Sequence, residues 1–243
     1  MYLESPDAAK AFAKKLRRAS RQFAGVEAAI APSFTLLPAV ASALKGSSIR
    51  AIGQGVSPFS ESKHTGEVSA RMLKIAGASG VVVGHSERRA GGESDESIAH
   101  QLARAESEGL RAVLCVGEAE RDAAGGHFAV VAKQLRSALQ AKPAAARLVV
   151  AYEPVWAIGK SAAESAQVQD VQEMVIYIRK ILSEGMGRSA ALRVPVIYGG
   201  SVEGENAREL MEKGGVSGFL VGHASADIDS FLEILRAVRP SSR

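Results

Sequence analysis

Cysteine is almost missing from this 243-residue chain: Cys115 is the only one, and Trp156 and Asn206 are likewise single occurrences. A lone thiol cannot close an internal disulfide or assemble a cysteine zinc site, so a reducing compartment is the expectation. The five histidines (His64, His85, His100, His127, His223) contain no i, i+4 pair, and no GxGxxG follows a strand-like run. Neither a metal centre nor a dinucleotide cofactor is therefore expected. Asn206 is followed by Ala-Arg, which is not a glycosylation sequon. Long apolar runs are missing too. Nothing approaches the roughly 20 residues needed to cross a bilayer, and residues 1–19 lack the apolar core of a signal peptide. A cytoplasmic protein away from membranes is the expectation. Charge of one sign is scarce as well: 30 Lys+Arg against 26 Asp+Glu leave +4, interspersed along helical stretches. That reads as a solvated mixed-charge surface, and nucleic acid is not an expected partner.

What is present is the balance of a globular domain, with 47% hydrophobic and 23% charged residues, which excludes a disordered chain. Short apolar runs at 26–33, 49–55, 80–86, 111–118, 147–154, 194–201 and 218–225 predict parallel strands buried on both faces. Between them lie segments with three- and four-residue apolar spacing, as in Val171, Met174, Val175, Ile178 and Leu182. Such stretches predict helices near 6–22, 34–44, 67–77, 96–108, 119–141, 166–185, 204–213 and 226–237. Strand–helix alternation without a linker predicts one α/β domain over 1–243. The count is uneven, seven strands against eight helices, and the chain opens on a helix. An open doubly wound sheet tolerates that opening. A closed eight-stranded barrel does not, because its first helix follows a first strand.

Polar residues gather where the predicted strands end: Gln54, the run Gly84 to Glu87, Cys115 to Glu118, Glu153, Gly199-Gly200-Ser201, and Gly222-His223. In α/β folds that edge binds ligands, in barrels and open sheets alike. His85 follows Val81-Val82-Val83-Gly84, and a neutral imidazole there would donate to a substrate carbonyl; a satisfied core histidine is the plainer alternative. Glu153 ends LVVAYE, where partial burial raises a carboxyl's pKa and makes it a stronger base. The alternative is a solvent-facing glutamate at a loop entrance. Val155 to Ile158 form an apolar loop that suits a lid. Gly199-Gly200-Ser201 and Gly222 are candidates to cradle a phosphate with main-chain N–H groups. Gly159-Lys160-Ser161 is not a P-loop, because Pro154 stands where the earlier glycine belongs.

Taken together and in order, GQGVSPF with HTGE (53–67), GVVVGHSERR (80–89), LCVGE (114–118), AYEPVWAIG (151–159), VIYGGSV (196–202) and GFLVGHAS (218–225) resemble the triosephosphate isomerase family. The resemblance implies a TIM (β/α)8-type barrel and interconversion of dihydroxyacetone phosphate and D-glyceraldehyde 3-phosphate, with no cofactor and no metal. It implies Glu153 as the base and His85 as the neutral electrophile, a division of labour for which this family is itself a standard illustration. Glu87 matches a carboxylate near the reacting carbons. Gly159, Ser201, Gly222 and His223 would hold the phosphate through main-chain N–H groups. Closure of loop 154–162, a motion this family also illustrates, would exclude water. The segment around Thr65 resembles a protruding loop that forms a homodimer.

Three departures accompany the resemblance. Family members open with a strand ending Asn-x-Lys, whereas this sequence opens at Met1-Tyr2. The expectation is about seven strands, no catalytic lysine and severely impaired turnover. Either Met1 is an internal methionine, or the chain is a degraded, non-catalytic phosphate-binding homologue. The lid reads Ile158-Gly159-Lys160-Ser161 in place of Ile-Gly-Thr-Gly-Lys. His223 stands where a second glycine is usual.

Overall fold

A computed structural model describes residues 3–60, 64–122, 124–159 and 166–240. The first helix, α1 (Pro6–Ala19), starts where Ser5 accepts from the Asp7 and Ala8 N–H groups and Pro6 takes the first turn. Its buried stripe, Ala9, Ala13, Leu16 and Ala19, is the three-to-four spacing of an amphipathic helix.

Six strands follow, each with its crossover: β1 (Ala29–Ile30), α2 (Leu37–Leu44), β2 (Arg50–Gly53), α3 (Ala70–Ile75), β3 (Gly80–Val83), α4 (Ser86–Ala90), α5 (Asp95–Ser107) and β4 (Arg111–Val116). The second half runs α6 (Gly126–Leu139), β5 (Leu148–Tyr152), α7 (Val168–Met186), α8 (Arg188–Ala191), β6 (Val196–Tyr198), α9 (Gly204–Lys213) and α10 (Ile228–Ala237). All six strands are parallel and pair in chain order, which is the winding of a (β/α) barrel.

Register decides what reaches the rim. Val116 lies beside Tyr152, and Tyr152 beside Tyr198. Gly117, Glu153 and Gly199 therefore leave three neighbouring strands at one level, with Glu118 one residue beyond. Close packing of those strand ends needs glycine: a Cβ on Gly117 would sit 1.8 Å from the Glu153 carbonyl oxygen.

The counts differ from the sequence expectation. Among the described residues there are six strands, ten α-helices and four 3-10 turns, against seven strands and eight helices expected. The run 218–225 contributes only a single bridge, Phe219 to Tyr198, and from His223 it turns into a 3-10 helix. The run 26–33 keeps two strand residues. Both lie at sheet edges, and a segment with one neighbour forms half a ladder. Pro32 also supplies no N–H. The two added helices, α4 and α8, are single turns launched from a histidine cap and from Gly187 at φ +82.

The helical ring closes where the sheet does not. Across the ends of the chain, Lys15 meets Asp229 at 2.8 Å, and the Phe12 and Phe231 rings stack at 6.5 Å.

Candidate active site

His85 is placed by the end of β3. Gly84 takes φ +71, and His85 then caps α4 with its own ring: Nδ1 accepts the Glu87 N–H at 3.3 Å. An Nδ1 that accepts carries no hydrogen, so in the neutral ring the hydrogen sits on Nε2. That Nε2 points to Glu153 Oε1, 3.2 Å away.

Glu153 leaves β5 and is 2% exposed. Its Oε2 accepts the Ser86 N–H at 2.9 Å. Burial pushes its carboxyl above the usual range; His85, the Ser86 N–H and the Cys115 thiol pull the other way without cancelling it. Room for this side chain is made by Gly199, where a Cβ would lie 2.9 Å from Glu153 Cγ. Cys115 is fully buried beside it, and burial first, then the Glu153 charge, raise the thiol well above its ordinary value.

Around this pair the other candidates share one cavity of about 1350 Å³ that runs through the barrel: Glu87, Gly159, Ser201, Gly222 and His223 all line it. Glu87 is exposed, its Oε2 3.9 Å from His85 Nδ1. Gly200 is demanded by packing, since a Cβ would stand 2.1 Å from the Tyr198 hydroxyl. Gly222 and Gly159 are different, for a Cβ on either meets nothing within 4 Å. Their open surroundings are what an anion approaching the main chain requires. Ser201 Oγ donates to the Ala157 carbonyl at 3.3 Å, tying the end of β6 to the turn after β5. His223 opens the turn that Ser225 closes on the Gly222 carbonyl.

Two residues with unassigned roles turn out to position the rim. Glu118 is 1% exposed, and its Oε1 accepts from both the Tyr152 hydroxyl (2.9 Å) and Trp156 Nε1 (2.8 Å). It pins the 3-10 turn Val155–Ala157 to β4 and β5. The Tyr152 hydroxyl is pushed up by burial and by the Glu118 charge. Arg89 donates to the Gly84 and Cys115 carbonyls and to Asp95, clamping the ends of β3 and β4 onto α5. The strand-end clustering flags Glu118; nothing in the sequence flags the Ser86 amide, because any residue but proline supplies one.

Of the apolar loop, Val155–Gly159 is in place, and residues 160–162 lie outside the described residues. Near Thr65, Phe59 and His64 stack at 3.6 Å. Among the described residues no cluster of three His, Cys, Asp or Glu side chains is placed to hold a metal ion.

A buried base against an imidazole N–H, with open main-chain turns on one side, suits proton transfer beside a carbonyl on a small anionic substrate. The family model for triosephosphate isomerase matches residues 1–238. A triosephosphate isomerase of Thermus thermophilus is 42% identical over 214 residues, covering 86% of this chain and 85% of that protein. One from Fusobacterium nucleatum is 37% identical over 241 residues, 98% and 95% of the two chains. One from Carboxydothermus hydrogenoformans is 40% identical over 237 residues, 96% and 94% of the two. The sheet winding, the site and these relatives together place the chain in the triosephosphate isomerase family.

Proposed function

We propose that this site interconverts dihydroxyacetone phosphate and D-glyceraldehyde 3-phosphate through an enediolate. The observation that carries the reading is the buried Glu153 carboxylate 3.2 Å from a histidine nitrogen that bears the ring hydrogen. Glu153 takes a proton from the carbon beside the carbonyl. The C–H electron pair becomes the carbon–carbon double bond, and the carbonyl pair moves onto oxygen. That oxygen accepts the hydrogen bond from His85 Nε2, where negative charge develops. The hydroxyl on the deprotonated carbon passes its proton to the former carbonyl oxygen and becomes the new carbonyl, while the double-bond pair takes the proton back from Glu153 at the neighbouring carbon, so the isomerisation closes with no net change in atoms or electrons. Glu87 lines the same cavity and acts near the reacting carbons. The phosphate is held by N–H groups of Gly159, Ser201, Gly222 and His223. Closing the turn at Val155–Gly159 over the substrate keeps water from the enediolate.

Exposed Phe59, Met72 and Ile75 support a homodimer, and the lone buried thiol supports a reducing, cytoplasmic setting. A second reading is favoured by one observation: no lysine lines the cavity among the described residues. Lys15, on α1, is committed to Asp229. On that reading, with no lysine beside the enediolate, turnover is slowed about 10²-fold or more and the chain binds phosphate without catalysing at a useful rate.

The experiment is an isomerisation assay in both directions on the purified chain and on Glu153→Gln. Slow turnover abolished by the substitution supports the isomerase reading. Turnover unchanged by Glu153→Gln sinks it. Binding of a phosphate analogue with no turnover in either protein selects the second reading, and near-normal turnover removes the argument from the lysine.

A further inference from the structure

We propose that the groove between α6 and α7 is a binding site for a small planar aromatic ligand carrying one anionic group. The groove encloses about 670 Å³, a volume in the range of small-molecule sites, and no carboxylate lines it. It shares no lining residue with the strand-end cavity that holds Glu153 and His85.

Sequence spacing makes the groove. Phe128, Ala132 and Arg136 recur every four residues along α6 and so stand on one face of it. With a rise of about 1.5 Å per residue, Phe128 and Arg136 lie about 12 Å apart along the axis, and the small Ala132 forms the floor between them. Tyr177 of α7 closes the side next to Phe128, the two rings 4.8 Å apart and inclined at 55°. Phe128 also packs on the buried His127 ring at 4.2 Å, so the aromatic wall is fixed in place.

The opposite end is cationic. The Lys133 side chain is 81% exposed, and its carboxylate neighbour Asp95, 4.0 Å away, is already bound by Arg89 at 2.7 Å. Arg136 pairs with Glu184 of α7 at 3.1 Å, which holds its guanidinium across the groove. One such exposed contact leaves most of the five guanidinium donors available to a second anion. An aryl acid satisfies both ends at once. Its ring lies against Phe128 and Tyr177, and its acid group reaches Lys133 and Arg136. Carboxylate, sulfonate and phosphate share this chemistry. An aliphatic anion forfeits the aromatic wall, and an uncharged arene forfeits the cations.

The test is an NMR titration of the purified chain with naphthalene-2-sulfonate. Expected are one ligand in this groove and nuclear Overhauser contacts from its ring to the Phe128 and Tyr177 rings and the Ala132 methyl. 2-Naphthol, the same ring without the acid, binds about tenfold more weakly, and Lys133→Gln/Arg136→Gln weakens the sulfonate about tenfold while leaving 2-naphthol nearly unchanged. Ala129 is exposed on the groove, one turn before Lys133. Ala129→Glu therefore gives Lys133 a helix-compatible partner and expels the sulfonate while the circular dichroism stays that of the parent. The proposal is overturned by contacts confined to Ser201 and Gly222, by sulfonate affinity that survives the double variant, by equal binding of sulfonate and 2-naphthol, or by no binding at all.

Discussion

Replacing Ser86 with proline, compared with replacing it by alanine, isolates one hydrogen bond of the site. Ser86 is the first residue of α4, where proline's missing N–H is tolerated, and His85 at φ −53, ψ 145 has the extended backbone that a following proline requires. What is lost is the main-chain donor to Glu153 Oε2 at 2.9 Å, together with the smaller pull of the Ser86 hydroxyl, which Ser86→Ala removes alone. A hydrogen bond to a charged group is worth about 1.5–3 kcal/mol. At 1.36 kcal/mol per unit, the Glu153 carboxyl, already raised by burial, moves up by about 1–2 further units. The base works only when ionised, so the acid limb of the kcat/KM profile moves to higher pH by that amount. Activity falls about tenfold or more near the old midpoint and recovers most at alkaline pH. Ser86→Ala keeps the amide and removes only the smaller pull of the hydroxyl, so its limb moves less than that of Ser86→Pro. Rates across pH 5–10 on the purified protein give the answer, with circular dichroism to verify folding. A limb that stays put in Ser86→Pro refutes the claim that this amide holds the base's charge.

Other outcomes follow from the same geometry. Because burial holds the Glu153 carboxyl above its unfolded value, the unfolded chain ionises first as pH rises, and this group costs stability above the unfolded pKa. Glu153→Gln should thus raise Tm at pH 7.5 relative to the parent and lose that advantage near pH 4; equal effects at both would contradict the burial argument. Glu118→Ala orphans the buried Tyr152 hydroxyl and frees Trp156, costing about 2–5 kcal/mol in urea unfolding and shifting Trp156 emission to the red. Gly200→Ala drives a Cβ against the Tyr198 ring and costs about 1–3 kcal/mol. Tyr198→Phe deletes a buried hydroxyl that has no hydrogen-bond partner among the described residues, itself pushed up to about 12 by burial, and should be neutral or stabilising by denaturant midpoint.

Much of this was readable beforehand because parallel strands put their chemistry at their ends. Glu153 and His85 could be chosen as a pair from two apolar runs 68 residues apart, and the coordinates bring them to 3.2 Å. Helix α9 falls on the expected 204–213, since its apolar period and its Glu203–Asn206 capping box are local signals. Edges were less legible. Apolar content predicts burial, but a ladder also needs neighbours, and 26–33 and 218–225 each have one on a single side. The role of Glu118 was hidden for a related reason: Tyr152 and Trp156 lie 34 and 38 positions away, and no periodicity encodes that meeting. Turn α4 went unread because its first donor is accepted by a ring, not by the usual serine or aspartate.

Glu153 and His85 hang from consecutive amides, Ser86 to Glu153 and Glu87 to His85. Their separation is thus gauged by two successive peptide planes joined at the Ser86 Cα, whose dihedrals the helical turn fixes. Breathing of the scaffold that carries this turn along would move both reactive atoms in step, and side chains at 86 and 87 can be exchanged without loosening either tether. What cannot be exchanged is the main chain itself.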